Sequence, residues 1–221
     1  MRMVAAEPAD VELNLAPGGQ PLPREQALAL LRRELGRVQA EVQRIFEARE
    51  TGGLGAARRL GARMDQVMQA IQAYAALMVP STRGGPGLDF ALVATGGYGR
   101  GVLAPHSDID LLFLSHKDPG PRTRRLVEFL LYLLWDCGLK VGHATRSVKE
   151  CLAEAGKDIT VMTALVDARF LAGDPAPFAQ FQAEFNRMRQ KGGLAPFLAA
   201  KRAERQARHA RYGESPFLVE P

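Results

Sequence analysis

The chain has 221 residues, 47% of them hydrophobic, and a formal net charge of +5. This length suits about one domain with a substantial core, and the basic balance favours anionic ligands without by itself marking a nucleic-acid binder. Cys137 and Cys151 are too few and too unpatterned for a secreted disulfide framework. With no signal-type segment and no apolar run of bilayer length, the cytoplasm is the default location and no membrane partner is expected.

Residues 1–20, with Pro8, Pro17, Gly18 and Gly19 and no sustained period, read as a disordered leader. Residues 21–80 read as a helical hairpin. Pro23 opens the first helix, and Leu28, Leu31, Leu35, Val38, Val42 and Ile45 recur at helical spacing as far as about Arg49. Gly52, Gly53 and Gly55 break the chain, and Leu60, Met64, Val67, Met68 and Ile71 carry a second helix to about Met78.

Residues 81–175 form the expected core. A proline- and glycine-rich loop at 80–87 leads to a buried strand at 90–94, then to a glycine turn. Further strands are expected at 109–114 and 139–146, and helices at 122–136, 148–155 and 159–171. Residues 176–221 hold helices at 177–189 and 195–212, then an extended apolar tail that reads as cut short. The class is α+β: a small mixed sheet embedded in helices.

The chemistry concentrates at Gly96-Gly97-Tyr98-Gly99-Arg100-Gly101, followed by Ser107-Asp108-Ile109-Asp110. Bare glycines let the main chain wrap closely around phosphate oxygens. Aspartates two apart on a strand face the same way, where both can hold one divalent cation, Mg²⁺ by preference for a phosphate substrate. The spacing is neither a dinucleotide fingerprint nor a P-loop, which would need a Gly-Lys-Ser/Thr. Arg100 offers a guanidinium fork to phosphate, with a surface salt bridge as the plain alternative. Lys201 and Arg205 share a basic helix face with Arg208 or His209, suited either to pyrophosphate or simply to water. Of the histidines, His143 is the better placed for a general base than His106, because its strand is expected beside the aspartate strand.

The run from Ala94-Thr95-Gly96-Gly97 through Ser107-Asp108-Ile109-Asp110-Leu111-Leu112 closely resembles the nucleotidyltransferase core of bacterial protein-PII uridylyltransferases. The likeness continues through Leu133-Leu134-Trp135-Asp136, Leu139-Lys140-Val141-Gly142-His143, Leu171-Ala172-Gly173-Asp174 and Arg208-His209-Ala210-Arg211-Tyr212-Gly213. It implies a sheet of the DNA-polymerase-β-like nucleotidyltransferase type. It also implies transfer of UMP from UTP to a tyrosine of the PII nitrogen-signalling protein, with no DNA or RNA partner. By position, Gly96, Gly97, Arg100, Ser107, Lys201 and Arg205 would bind the nucleotide, while Asp108 and Asp110 would be catalytic and hold Mg²⁺.

Three departures stand out. Val102 occupies a position where the resembled family usually has glutamate. The expected third strand offers no further carboxylate, which leaves Asp158 and Asp167, both expected on helices, as weak substitutes. The phosphohydrolase and glutamine-sensing parts of that family have no counterpart in this sequence, so the chain reads as a truncated transferase domain. Two competing readings are a non-catalytic nucleotide-binding module and a transferase acting on a different protein acceptor.

Overall fold

The computed structural model describes residues 13–79, 89–192 and 194–212. The first twelve residues of the expected leader, the loop at 80–87 and the tail lie outside the described residues. In chain order the elements are α1 (Arg24–Glu47), α2 (Gly53–Met78), β1 (Ala91–Ala94), α3 (Gly96–Gly99), β2 (Ile109–Ser115), α4 (Pro121–Asp136), β3 (Val141–Ser147), α5 (Val148–Lys157), α6 (Ile159–Val166), β4 (Arg169–Gly173), α7 (Pro175–Gly192) and α8 (Leu194–Tyr212). They form two compact units interleaved along the sequence: Met1–Gly87, Gly101–Ile109 and Pro121–Gly142 in the first, Leu88–Arg100, Asp110–Gly120 and His143–Pro221 in the second. Among the described residues no helix is long and apolar enough to cross a membrane.

The first unit is helical. The expected hairpin is present, and the buried residues of α1, Leu28, Leu31, Leu35, Val38, Val42 and Ile45, follow the helical period read from the sequence. The α2 stripe of Leu60, Met64, Val67, Met68 and Ile71 is buried as well. Each such side chain contributes about 1.5–3 kcal/mol by leaving water. One charged cluster sits within this apolar seam. Glu41 on α1 accepts from Arg59 at 2.7 Å and Arg63 at 3.3 Å, both on α2, and Arg63 is only 7% exposed. Burial alone would raise the Glu41 pKa; the Arg59 hydrogen bond and the two guanidinium charges override it and hold the carboxyl below its ordinary value. At the end of α4, Asp136 pairs with Arg24, and its carbonyl accepts from both Nε and Nη2 of Arg32.

The expected disordered leader needs correction over its last residues. Pro17–Gly19 form a 3₁₀ turn, Leu15 is buried, and Leu22 N donates to Leu15 O at 3.0 Å. A single apolar anchor and a closing main-chain bond order a stretch whose composition alone suggested none.

The second unit holds the sheet, in the order β3-β2-β1-β4. Strand β1 is antiparallel to both neighbours, and all four of its residues are buried, as its unbroken apolar sequence requires. Ala91, Val93, Leu112 and Leu114 pack against Val148 and Cys151 of α5, Leu165 of α6 and Phe178, Phe181 and Phe185 of α7. Ser147 caps α5 in a reciprocal box with Glu150. Both cysteines are free thiols, and burial pushes that of Cys151 up to about 11.

The helix expected over 159–171 also needs correction. It ends at Val166, and Arg169–Gly173 form β4, paired with β1. Arg-Phe-Leu-Ala-Gly has no strong local preference for strand. Its extended form is dictated by hydrogen bonding to β1, and Asp174 N donating to Phe90 O at 3.0 Å closes the pairing.

Candidate functional site

Strand β1 ends at Ala94, and Thr95 N donates to Asp110 O of β2 at 3.0 Å, so the two strands part company where the glycines begin. Gly96 then takes φ +56°, a left-handed conformation that side chains disfavour. The chain winds through the single turn α3, and Gly99 N donates back to Thr95 O at 2.9 Å.

Two glycines are required by their surroundings. A Cβ on Gly96 would stand 2.7 Å from Asp110 Oδ2, so the carboxylate lies directly against the bare main chain. A Cβ on Gly99 would overlap the main-chain carbonyl of Asp167. The turn is thus held between a β2 carboxylate on one side and the α6–β4 connection on the other. Arg100 follows the turn, with its guanidinium over Gly97. Its Nη1 donates to Asp167 Oδ2 at 2.9 Å, the surface salt bridge that the sequence held open; the Arg100 side chain is 55% exposed. An exposed pair of this kind contributes about 0–1 kcal/mol, so the guanidinium is cheaply released to a better anion.

Asp110 is the second residue of β2 and is half-buried. Asp108 immediately precedes the strand and is exposed, while Ile109 between them is buried. This alternation is the one expected of residues that line opposite faces of an extended chain. Ser107, also exposed, donates its N–H to Ala104 O at 3.1 Å. Asp108 and Ser107 belong to the Gly101–Ile109 segment of the first unit, whereas Gly96, Gly97, Arg100 and Asp110 belong to the second. Val102 is half-buried.

Lys201 and Arg205 lie on α8, which packs against α6 and α7. Arg205, with Arg202, Gln206 and His209, lines an open groove, and its Nε stands 3.5 Å from His209 Nε2 on the same helix. His143 is exposed on β3, the strand next to β2, as the sequence anticipated; His106 is exposed with φ +64°.

Two residues gain importance that the sequence did not single out or misplaced. Asp167, expected within a helix, is the C-cap of α6 and stands against the glycine turn. Asp158 remains at a helix start, where it caps α6 by accepting from Thr160 N at 2.7 Å, and that backbone bond holds its carboxyl below the ordinary value. Arg169 was not read as functional at all. Its Nε donates to Gly99 O and its Nη2 to Tyr98 O, both at 3.2 Å. The only local signal was an arginine opening an apolar pentapeptide two residues after an aspartate.

Among the described residues no group of three or more His, Cys, Asp or Glu is gathered as a metal cluster. The donor set fits a hard divalent cation nonetheless. A carboxylate such as that of Asp110 is the type of oxygen ligand, one or two per protein, that such an ion takes when a phosphate substrate supplies the others. The Asp110 carboxylate lies against Gly96, in the space that a side chain there would contest.

Residues 82–167 match the family model described as a nucleotidyltransferase domain. Domains of this kind generally use divalent metal ions. Three curated relatives are named bifunctional uridylyltransferase/uridylyl-removing enzyme. The protein from Gluconobacter oxydans is 46% identical over 198 residues, covering 90% of this chain and 20% of the relative. That from Rhodopseudomonas palustris is 53% identical over 130 residues, or 59% of this chain and 14% of the relative. That from Rhodospirillum rubrum is 40% identical over 199 residues, or 90% of this chain and 21% of the relative. The chain therefore spans about a fifth of the length of the first and third of these relatives. With a glycine turn set against a strand carboxylate, a nucleotidyltransferase domain model matching residues 82–167 and this level of identity, the chain is similar to the corresponding fifth of the uridylyltransferase/uridylyl-removing enzymes.

Proposed function

We propose that this chain transfers UMP from UTP to a tyrosine of the PII nitrogen-signalling protein in the cytoplasm, releasing pyrophosphate. Residues 81–175 serve as the transferase core, between the hairpin at 21–80 and the helices at 176–221. The observation that carries the reading is the Asp110 carboxylate packed against the left-handed Gly96.

In this reading the bare amides of Gly96 and Gly97 face the triphosphate, where a side chain would keep phosphate oxygens at a distance. Asp108 and Asp110 would hold Mg²⁺, which would supply neutralisation of phosphate charge. Arg100 leaves Asp167 for a phosphate oxygen, and Ser107 donates its hydroxyl. Lys201 and Arg205 offer positive charge to the departing pyrophosphate. The acceptor phenol loses its proton to solvent and forms a bond to the α-phosphorus as the bond to the β-bridging oxygen breaks, and pyrophosphate leaves with that electron pair. The protein's contribution is chiefly placement and charge neutralisation, the two demands of phosphoryl-type transfer.

The test is calorimetric titration of UTP with Mg²⁺ into the wild type and into Asp108→Asn/Asp110→Asn, followed by UMP transfer to purified PII. Loss of the two carboxylates is expected to weaken binding by about a hundredfold and to abolish transfer, with unfolding little changed. Equal affinity in the folded double variant would overturn the proposal.

A further inference from the structure

The glycine turn is too short to hold itself. A single helical turn leaves its last carbonyls without intrahelical donors, and nucleating one turn in isolation is unfavourable. In this protein the main-chain N–H of Arg100 is directed at Tyr98 O, and one side chain 70 residues away adds donors to both Tyr98 O and Gly99 O. The Arg169 guanidinium presents Nε to Gly99 O and Nη2 to Tyr98 O, each at 3.2 Å. Its carbon lies 5.5 Å from the centroid of the Tyr98 ring, and Tyr98 is 1% exposed. The β1–β4 register places Arg169 opposite Ala94, two residues before the turn begins. Two positions earlier, Asp167 pairs with Arg100 and sets its main-chain carbonyl where a Gly99 side chain would otherwise stand.

We propose that Arg169 is a positioning residue: by bridging two successive carbonyls of α3 and stacking on Tyr98, it fixes the conformation in which Gly96 and Gly97 present their amides to a nucleoside triphosphate. The inference rests on the reading of that turn as the triphosphate cradle. Arg169 itself touches the far end of the turn, so it acts through the main chain. Its planar fork is what the geometry uses. A lysine keeps the charge but is a point donor on a flexible stem, unable to hold two carbonyls in one plane while stacking on a ring.

The full chain is titrated with UTP and Mg²⁺ by calorimetry as wild type, Asp110→Asn, Arg169→Lys, Arg169→Gln and Ser147→Ala. The last removes the cap of α5 and controls for general destabilisation within the same unit. Backbone amide resonances of Gly96, Gly97 and Gly99 are recorded without ligand. Arg169→Lys is expected to weaken Mg·UTP binding about tenfold and Arg169→Gln more, with the three glycine resonances displaced, while Ser147→Ala binds as the wild type does. If Arg169→Gln does not fold, Arg169→Lys decides alone. Wild-type affinity in folded Arg169→Lys overturns the inference, as does weakened binding with unmoved glycine resonances or an equal loss in Ser147→Ala. If Asp110→Asn binds as tightly as the wild type, or the wild type binds nothing, the cradle reading itself fails and takes this inference with it.

Discussion

Each of the two units contains an arginine–carboxylate pair, and the two are built for opposite ends. In the helical unit Glu41 is enclosed between Arg59 and Arg63, with side-chain exposures of 11% for Glu41 and 8% for Arg63. In the sheet unit Arg100 reaches Asp167 at a similar distance, but the two are 55% and 31% exposed. A buried pair cannot be opened without stranding a charge in a poorly solvated seam, so it fixes structure. An exposed pair exchanges partners at little cost, so it can park a guanidinium beside a site until an anion arrives. The same two functional groups thus form a rivet in one region and, on the proposed function, a latch in the other, and solvent access is what separates them.

The sharpest way to break this contrast is to neutralise Glu41. Glu41→Gln is expected to cost about 3–5 kcal/mol of folding stability, read from denaturant unfolding, because Arg63 stays buried without its carboxylate. The pH dependence has a definite sign. Because the folded-state carboxyl lies below its ordinary value of 4.5, the contribution of Glu41 is complete above that pH and drains away as the pH falls through the depressed value. Wild type should therefore lose stability on acidification in a range where Glu41→Gln loses less. Next in size is Gly96→Ala. The new Cβ meets both an unfavourable φ and the Asp110 carboxylate, and nucleotide affinity should fall about a hundredfold, near 2.7 kcal/mol, while every proposed ligand is still present. The smallest effect is expected for Arg100→Ala: unfolding should shift by less than about 1 kcal/mol while UTP affinity drops about tenfold. A large stability loss in that variant would erase the distinction between latch and rivet.

Much of this architecture was legible in the amino-acid order because its causes are local. The α1 and α2 stripes, the apolar run of β1 and the Gly96–Gly99 turn each announce themselves through the period or backbone freedom of neighbouring residues. Strand β4 was read as the end of a helix because Arg169–Gly173 has no alternation and is extended only through its pairing with β1. Arg169 carries no local signal for the same reason, and Asp167 figures in the sequence only as a weak candidate for a third carboxylate on a helix. Their significance depends on contacts with residues some 70 positions away, and no spacing rule spans that distance. The ordered 3₁₀ turn at Pro17–Gly19 illustrates the converse error, since composition argued against structure that one buried leucine secures.

The pairing of β4 with β1 shifts between Leu92 and Val93: Ala172 stands opposite Leu92 and Phe170 opposite Val93, so the register steps over Leu171. Counted from Gly173 without that step, Phe170 would fall beside Ala94, and the guanidinium would overshoot by one strand increment, about 3.3 Å. The connection from Asp167 to Gly173 therefore acts as a ruler. Chemically mild replacements along it are tolerable, whereas adding or removing a single residue would move the fork off both of its oxygens.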